Sequence, residues 1–229
     1  MEETKLGRYQ ITYPDGKEYH TLKREIWGED LYYFNSNNTA PFIIDIGAHI
    51  GVSVLYFKSI YPESRIVAFE PNPDSFSILE ENIKINNITG ITLVNKAVWN
   101  YSGIKDFYVP TDGYWSSNSS FSSGSWTSKE ETKKISVETT TLSSYMFEDI
   151  DMMKIDTEGS EIQILKANRD LFKRIDNICV EYHPIKNTKP QDILNILNTS
   201  FNTEVYYEGE VCKKFPVNRL LTIKGKKSK

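Results

Sequence analysis

The sequence contains few cysteines and no long apolar run. Two of its 229 residues are cysteine, Cys179 and Cys212, and neither belongs to a Cys-x-x-Cys pair. This argues against a disulfide scaffold or a zinc site, and it favours a reducing, cytoplasmic setting. No stretch approaches the roughly 20 consecutive apolar residues of a membrane span. The polar segment after Met1 does not have the pattern of a secretory signal peptide.

The chain also has no excess of positively charged residues. The chain has 27 Lys and Arg residues against 31 Asp and Glu, a formal net charge of −4. A general nucleic-acid binder needs a basic face that displaces counterions, so nucleic acid is not the expected partner. The one basic run, "KGKKSK" (residues 224–229), is interpreted as a solubilising tail, with residues 225–229 outside the folded domain.

What the chain does contain is an alternation of short apolar runs with helical patterns. The runs are "FIIDIG" (42–47), "RIVAFE" (65–70), "ITLVNKAV" (91–98), "DMMKID" (151–156) and "NICVEYH" (177–183). Continuous apolar runs are typical of strands buried on both faces of a parallel sheet. The alternation predicts a doubly wound α/β sheet in one domain, residues 41–224. The segments "TEVYYEG" and "RLLTIK" predict a closing antiparallel hairpin.

The helices between the runs carry start signals. Asn72 is the expected N-cap of one helix, with Pro73 at its first position. Ser160 and Gln163 have the spacing of a capping box at the start of another. A further helix is expected to begin near residue 190.

Two regions lie outside this repeat. Residues 1–40 carry the turn signal "YPDG" between β-rich segments and predict a hairpin and helix packed on the sheet. Residues 110–132 are rich in serine and include Tyr114, Trp115 and Trp126. A loop of this length is usually a lid, a binding loop or disorder. Its aromatic residues favour a loop that orders over a ligand.

The turn after the first buried strand predicts a nucleoside-cofactor site. Ligands of open α/β sheets bind beyond the carboxyl ends of the strands, and the N–H groups at a helix start favour an anionic group there. Asp45, Gly47, His49 and Gly51 follow the pattern D-x-G-x-H-x-G, which is typical of S-adenosylmethionine-dependent methyltransferases. Glu70 ends the next strand, where its carboxylate can accept hydrogen bonds from the two ribose hydroxyls. Asp45 is expected to act by fixing the turn.

The sequence indicates less clearly which residues bind the adenine base of the cofactor. Lys96 and Ala97, together with Val98, end the third apolar run, where backbone groups and an apolar wall commonly hold the base. Asn72, two residues after Glu70, is a second candidate, although its capping role also explains it.

At this point the sequence resembles the FkbM family of class I methyltransferases. The resemblance rests on "FIIDIGAHIG", "VAFEPNPDSF", "LVNKAV", "ETTTLSSY", "MMKIDTEGSEIQIL" and "ICVEYHP", in that order, over residues 41–184. It implies a Rossmann-like fold with a mostly parallel seven-stranded sheet, use of S-adenosylmethionine, and O-methylation of a hydroxyl on a sugar or natural product. His49 departs from the family, which commonly has asparagine there. The first 40 residues and the Ser-rich loop match no shared motif and are expected to select the acceptor.

A group of ionisable residues is expected to carry the chemistry. Asp156 and Glu158 lie in "KIDTEG" at the end of the fourth run, and Glu181 and His183 lie in "CVEYHP" at the end of the fifth. A hydroxyl has a pKa far above neutrality. Its methylation therefore benefits from a base that takes the proton or from a metal ion that lowers the pKa of the hydroxyl. We expect metal-free catalysis by Asp156, Glu158 and His183. The alternative is a Mg²⁺ or Mn²⁺ site of Asp156, Glu181 and His183, in which alternation along the fifth run places Glu181 and His183 on one face.

Three other functions remain open from the sequence. An NAD-dependent oxidoreductase shares the strand-turn-helix start, but its third glycine is missing at the required interval. A nucleic-acid amino-methyltransferase would carry an Asn/Asp-Pro-Pro-aromatic motif where "KIDTEG" stands. A non-catalytic module could retain the fold as a binding scaffold, although Glu70 and Asp156 argue against it.

Overall fold

The computed structural model describes residues 1–111, 120–121 and 132–228. In chain order its strands are β1 (Glu2–Leu6), β2 (Tyr9–Tyr13), β3 (Phe42–Ile46), β4 (Arg65–Phe69), β5 (Ile91–Val94), β6 (Ala97–Val98), β7 (Gly103–Pro110), β8 (Thr132–Thr140), β9 (Ile150–Ile155), β10 (Ile175–Tyr182), β11 (Phe201–Tyr207), β12 (Glu210–Val211) and β13 (Leu221–Lys227). Its helices are α1 (Gly16–Leu22), α2 (Val52–Ile60), α3 (Pro73–Ile85), α4 (Glu161–Ala167) and α5 (Pro190–Leu197). A π-helical segment covers Lys23–Gly28, and short 3₁₀ helices cover Leu142–Tyr145 and Arg169–Arg174.

Eight of the described strands form the central sheet, in the order β5-β4-β3-β9-β10-β13-β11-β12. The first five are mutually parallel, and β13 runs antiparallel to both of its neighbours. This confirms the predicted α/β class and the closing hairpin of β11 and β13. The sheet exceeds the expected seven strands by the two-residue β12, which pairs with the end of β11.

The sheet is buried on both faces, which explains the continuous apolar runs. Ile44 and Ile46 of β3 point into the core that contains residues of α4 and α5. Ile43 points to the other face, into the core that contains residues of α2 and α3. Successive apolar residues of β3 therefore alternate between the two cores.

Of the three predicted helix starts, two are confirmed, those of α3 and of α5, which begins at Pro190. Asn72 caps α3, and its side chain accepts a hydrogen bond of 3.1 Å from the N–H of Asp74. α4 does begin after Ser160, but the Ser160 side chain makes no capping hydrogen bond, so the predicted capping box with Gln163 does not form. The carboxylate of Glu161 accepts the N–H groups of the preceding turn instead.

The N-terminal region forms the expected hairpin and helix, but the turn signal was assigned wrongly. The hairpin turns at Gly7, which has a φ of +60°. The "YPDG" segment instead joins β2 to α1, where Asp15 accepts the N–H of Glu18 as the N-cap. The hairpin contacts α3, where the N–H of Thr12 donates to Asn82 at 2.7 Å, and its apolar residues share one core with Ile43 of β3.

The third apolar run divides between two sheets. β5 ends at Val94 in the central sheet, whereas Ala97 and Val98 form β6 in a separate sheet of order β6-β8-β7. The prediction that Lys96 to Val98 end a central strand is therefore wrong. Of the predicted Ser-rich loop, Tyr114, Trp115 and Trp126 lie outside the described residues.

The basic C-terminal run is mostly not a tail. Residues up to Lys227 belong to β13, where Lys226 pairs with Asn177 on one side and with Asn202 on the other. The strand continues because its backbone completes the hydrogen bonding of both neighbours, regardless of the charge of its side chains. In the part of the chain that the structure describes, the helices are all too short or too polar to cross a membrane.

Candidate active site

An open cleft lies at the carboxyl edge of the parallel strands. Its empty volume, open solvent included, is about 630 Å³. Eight of the residues predicted from the sequence line it: Gly47, His49, Glu70, Lys96, Ala97, Val98, Asp156 and Glu158. The other predicted residues lie outside this lining and are all buried: Asp45, Gly51, Asn72, Glu181 and His183.

The turn after β3 touches the end of β9. Gly47 has a φ of +86°, and a Cβ at this position would lie 1.8 Å from the carbonyl oxygen of Asp156. A side chain is therefore impossible here. The N–H groups of Gly47 and Ala48 both donate to the carbonyl of Phe69, and that of His49 donates to Glu70. The turn consequently offers a ligand fewer free N–H groups than the sequence predicted.

Gly51 is needed at the start of α2. It has a φ of +92°, and a Cβ there would lie 2.7 Å from Cδ1 of Leu79. Gly51 thus shapes the helix start and its packing on α3. It is not brought to the lining of the cleft.

Glu70 reaches the cleft from the end of β4. One carboxylate oxygen accepts the N–H of His49 at 2.9 Å, and the other accepts the N–H of Asn72 at 2.8 Å. Burial raises the pKa of Glu70, and the nearby His49 and these hydrogen bonds oppose that effect. Each oxygen retains a lone pair, so the carboxylate remains able to accept two ligand hydroxyls. Asn72 is the N-cap that helps to hold it.

Asp45 acts behind the turn, through a lysine that sequence reasoning missed. Lys154 Nζ lies 3.2 Å from Asp45 Oδ1, and it also donates to the carbonyl of Gly47. Burial by itself lowers the pKa of Lys154, but Asp45 and Asp156 outweigh it, so the pKa is raised and the ammonium stays charged. The signal was a lysine inside the apolar run "DMMKID", a position that requires an ionic partner.

Asp156, Glu158 and His183 come together as predicted. His183 Nε2 lies 3.4 Å from Glu158 Oε1 and 3.9 Å from Asp156 Oδ1, and its Nδ1 lies 3.0 Å from Glu161 Oε1. Burial lowers the pKa of His183, but the carboxylates of Glu158 and Glu161 raise it well above its usual value. The surrounding carboxylates therefore favour the protonated form of the imidazole. Glu158 itself has a φ of +53°, a rare conformation for a residue other than glycine.

Glu181 does not join this group, so the alternative metal set of Asp156, Glu181 and His183 is not assembled. β10 ends at Tyr182, and alternation therefore does not extend to His183. Among the described residues, the group whose ligand atoms all lie within 4.8 Å of one another is Asp156, Glu158 and His183. A protonated imidazole has no lone pair for a metal, so this group suits a cation only if His183 loses its proton.

Tyr32, from the N-terminal region, closes the site on the opposite face of the sheet. Its hydroxyl donates to Glu181 and lies 3.4 Å from Asp156 Oδ2. Burial, together with the charge of Asp156, raises the pKa of Glu181 to about 8. Nothing in the spacing of residues 1–40 pointed to Tyr32, because its contacts are more than 120 residues away in the chain.

The other end of the cleft is apolar. Ala97 and Val98 line it, together with Phe107 of β7 and Phe121. The ammonium of Lys96 is 2.7 Å from Glu138 Oε2 in an exposed ion pair. The two phenylalanines were absent from the predicted site, because the small sheet that places them was not predicted.

Comparison with known proteins assigns the family. The profile described as "Methyltransferase FkbM domain" matches residues 45–206, more than two-thirds of the chain. The chain belongs to the FkbM methyltransferase family. "Methyltransferase 1" of Beauveria bassiana (strain ARSEF 2860) is 28% identical over 186 residues, 72% of this chain and 73% of that protein.

Two solved structures share the fold. The methyltransferase FkbM of Methylobacillus flagellatus KT superposes with a TM-score of 0.58 at 15% identity, over 86% of this chain and 47% of that protein. The present chain thus spans about half the length of that protein. TYW2 of M. jannaschii, solved in complex with AdoMet, gives a TM-score of 0.52 at 12% identity, over 98% of this chain and 84% of that protein. These similarities confirm the Rossmann-like class I methyltransferase fold predicted from the sequence.

Proposed function

We propose that this FkbM methyltransferase uses S-adenosylmethionine to methylate a hydroxyl group of a small-molecule acceptor, either a sugar or a natural product. The observation that carries the proposal is a single cleft lined by both Glu70 and Asp156. One carboxylate suits the ribose of a nucleoside cofactor. The other lies beyond the glycine turn, where the acceptor would meet the methyl group.

The cleft fits the cofactor in three respects. Glu70 presents a buried carboxylate to the cleft, suited to two vicinal hydroxyls. Gly47 leaves the turn without a side chain, so a methionine moiety can approach the backbone closely. Ala97 and Val98 offer an apolar surface for the base.

Asp156 is the residue we assign as the base. When bound, S-adenosylmethionine supplies a methyl group that is already activated for in-line transfer. The side chain of Asp156 is 23% exposed, whereas that of Glu158 is 11% exposed and lies closer to His183. Asp156 would take the hydroxyl proton of the acceptor as the methyl group passes from sulfur to the acceptor oxygen, which leaves S-adenosylhomocysteine as the second product. His183 contacts both Glu158 and Asp156, and its carboxylate neighbours favour its protonated form, so we assign it the role of positioning these two residues.

Metal-free catalysis remains our choice over a Mg²⁺ or Mn²⁺ site. Lys154 places a positive charge beside Asp156, and His183, whose protonated form its carboxylate neighbours favour, would add a second. A divalent cation at the same carboxylates would be repelled by both. We therefore expect EDTA to leave turnover unchanged. Loss of turnover in EDTA that Mg²⁺ or Mn²⁺ restores would contradict metal-free catalysis.

Two measurements test the proposal. Calorimetry with S-adenosylhomocysteine and with NAD should show binding of the first alone. Transfer of labelled methyl from S-adenosylmethionine to a panel of sugars and hydroxylated natural products should then identify the acceptor. Binding of NAD instead would support the oxidoreductase alternative, and cofactor binding without turnover on any acceptor would support a non-catalytic module.

A further inference from the structure

Residues 120–121, which lie between β7 and β8 in the chain, contact the small sheet. Ser120 pairs with Tyr108 of β7 as an isolated antiparallel bridge. The N–H of Tyr108 donates to the carbonyl of Ser120 at 2.8 Å, and the N–H of Ser120 donates back at 2.9 Å. This bridge fixes the next residue, Phe121, against the sheet.

Phe121 is held by an aromatic group. Its ring centroid lies 4.8 Å from that of Trp99 and 5.3 Å from that of Phe107. Lys105 Nζ lies 5.0 Å from the Phe121 centroid and 4.8 Å from that of Trp99. Such pairs fix a ring more firmly than apolar contact alone. The ring of Phe121 is therefore held in place before a ligand binds.

Phe121 and Phe107 form one end of the cleft that Glu70 and Asp156 share. A nucleoside whose ribose binds Glu70 must direct its amino-acid chain to one side and its base to the other. The glycine turn and Asp156 bound the side where charge and hydrogen-bonding groups are available. The side with Ala97, Phe107 and Phe121 is apolar and aromatic, and a purine has a flat π-face that suits it.

We propose that Phe121 stacks on the adenine base of the cofactor, so that the small sheet, through Trp99 and Phe107, is the wall that selects the nucleobase. This inference rests on the proposed use of S-adenosylmethionine. It adds a specificity-determining residue outside the glycine turn.

The test compares ligands with and without the base. Calorimetry would measure S-adenosylhomocysteine, 5′-methylthioadenosine, which lacks the amino acid, and S-ribosylhomocysteine, which lacks adenine. In Phe121→Ala we expect the first two to bind roughly tenfold or more weakly, and S-ribosylhomocysteine to bind as before. Phe121→Leu, which keeps an apolar side chain but no flat ring, should show a smaller loss in the same two ligands, and it guards against a folding defect in the alanine variant.

The matched control is Phe147→Ala, because Phe147 is 80% exposed and does not line the cleft. It should bind all three ligands as wild type does. Unchanged binding of S-adenosylhomocysteine by both Phe121 variants would overturn the proposal for Phe121, as would an equal loss in all three ligands. Absence of S-adenosylhomocysteine binding in the wild type would instead overturn the proposed function itself, and the inference with it.

Discussion

Asp45 and Lys154 form a buried ion pair at the centre of the sheet, on directly paired positions of β3 and β9. Their side chains are 0% and 3% exposed, and their charged atoms lie 3.2 Å apart. Lys154 also reaches Asp156 at 3.4 Å and the carbonyl of Gly47. One ammonium group thus links the glycine turn to the proposed base, and this explains why an acid precedes the first glycine of the motif.

Removal of Lys154 should destabilise the protein strongly, because Asp45 would remain buried without a counter-charge. We expect Lys154→Met to lose about 3–5 kcal/mol of unfolding free energy, and the double variant with Asp45→Asn to recover part of it. Urea unfolding measures both. Lys134→Met is the control: its ion pair with Asp106 is more than half exposed, so we expect a loss below about 1 kcal/mol. Equal losses in the two single variants would contradict a structural role for the buried pair.

Glu70→Ala should weaken the binding of S-adenosylhomocysteine, because the ribose hydroxyls lose a charged acceptor worth about 1.5–3 kcal/mol. Calorimetry would measure the affinity. Thermal unfolding would show whether loss of the hydrogen bonds to His49 and Asn72 also costs stability. Glu80→Ala, the same change on the exposed face of α3, should have no effect on binding. An affinity equal to that of wild type would remove Glu70 from the site.

Asp156→Asn should lower turnover by roughly 100-fold or more while changing the affinity for S-adenosylhomocysteine little, because a general base acts in the chemical step. The assay is methyl transfer to the acceptor found in the panel. Asp170→Asn, at an exposed position, is the control. A variant as active as wild type would show that another group takes the proton.

Glu181 should make stability depend on pH. Its pKa is raised to about 8, so the folded protein holds this proton more tightly than the unfolded chain does. The contribution is fully present below the pKa of the unfolded chain and is lost as the pH rises through about 8. Glu181→Gln mimics the protonated form and keeps an acceptor for Tyr32. Its stability relative to wild type should therefore rise by more than about 1 kcal/mol between about pH 5 and about pH 9. Urea unfolding at both pH values measures this difference, with the exposed Glu210→Gln as control. An equal change of stability with pH in the two variants would contradict the prediction.

Gly47→Ala should prevent folding or cost at least about 3 kcal/mol, because its Cβ would overlap the backbone of Asp156. Gly28→Ala provides the contrast, since a Cβ there meets no atom within 4 Å. Thermal unfolding of the two variants would measure the difference. Similar melting temperatures would show that the ends of β3 and β9 are farther apart than the structure places them.

Local patterns of the chain were sufficient for the five parallel strands of the central sheet, the start of α3 and the residues of the glycine turn, but not for the small sheet of β6, β7 and β8. The buried runs follow from continuous apolar stretches, and the turn at Gly47 follows from glycine and its neighbours in the chain. The turn at "YPDG" was misassigned because the same residues that form a hairpin turn also cap a helix: Asp15 accepts the N–H of Glu18. The metal alternative failed for a similar reason, since alternation held only as far as Tyr182, where β10 ends.

The sequence by itself determined the fold class, the family resemblance and the residues from Asp45 to Glu70 that suit a nucleoside, because each depends on spacing within about one strand-turn-helix unit. Only the tertiary structure decided that Lys154 pairs with Asp45, that Tyr32 contacts Glu181, that His183 lies between Glu158 and Glu161, and that Phe121 lines the cleft. These features depend on burial and on contacts between segments far apart in the chain. The neighbours of a buried side chain in the sequence determine neither its charge nor its partner.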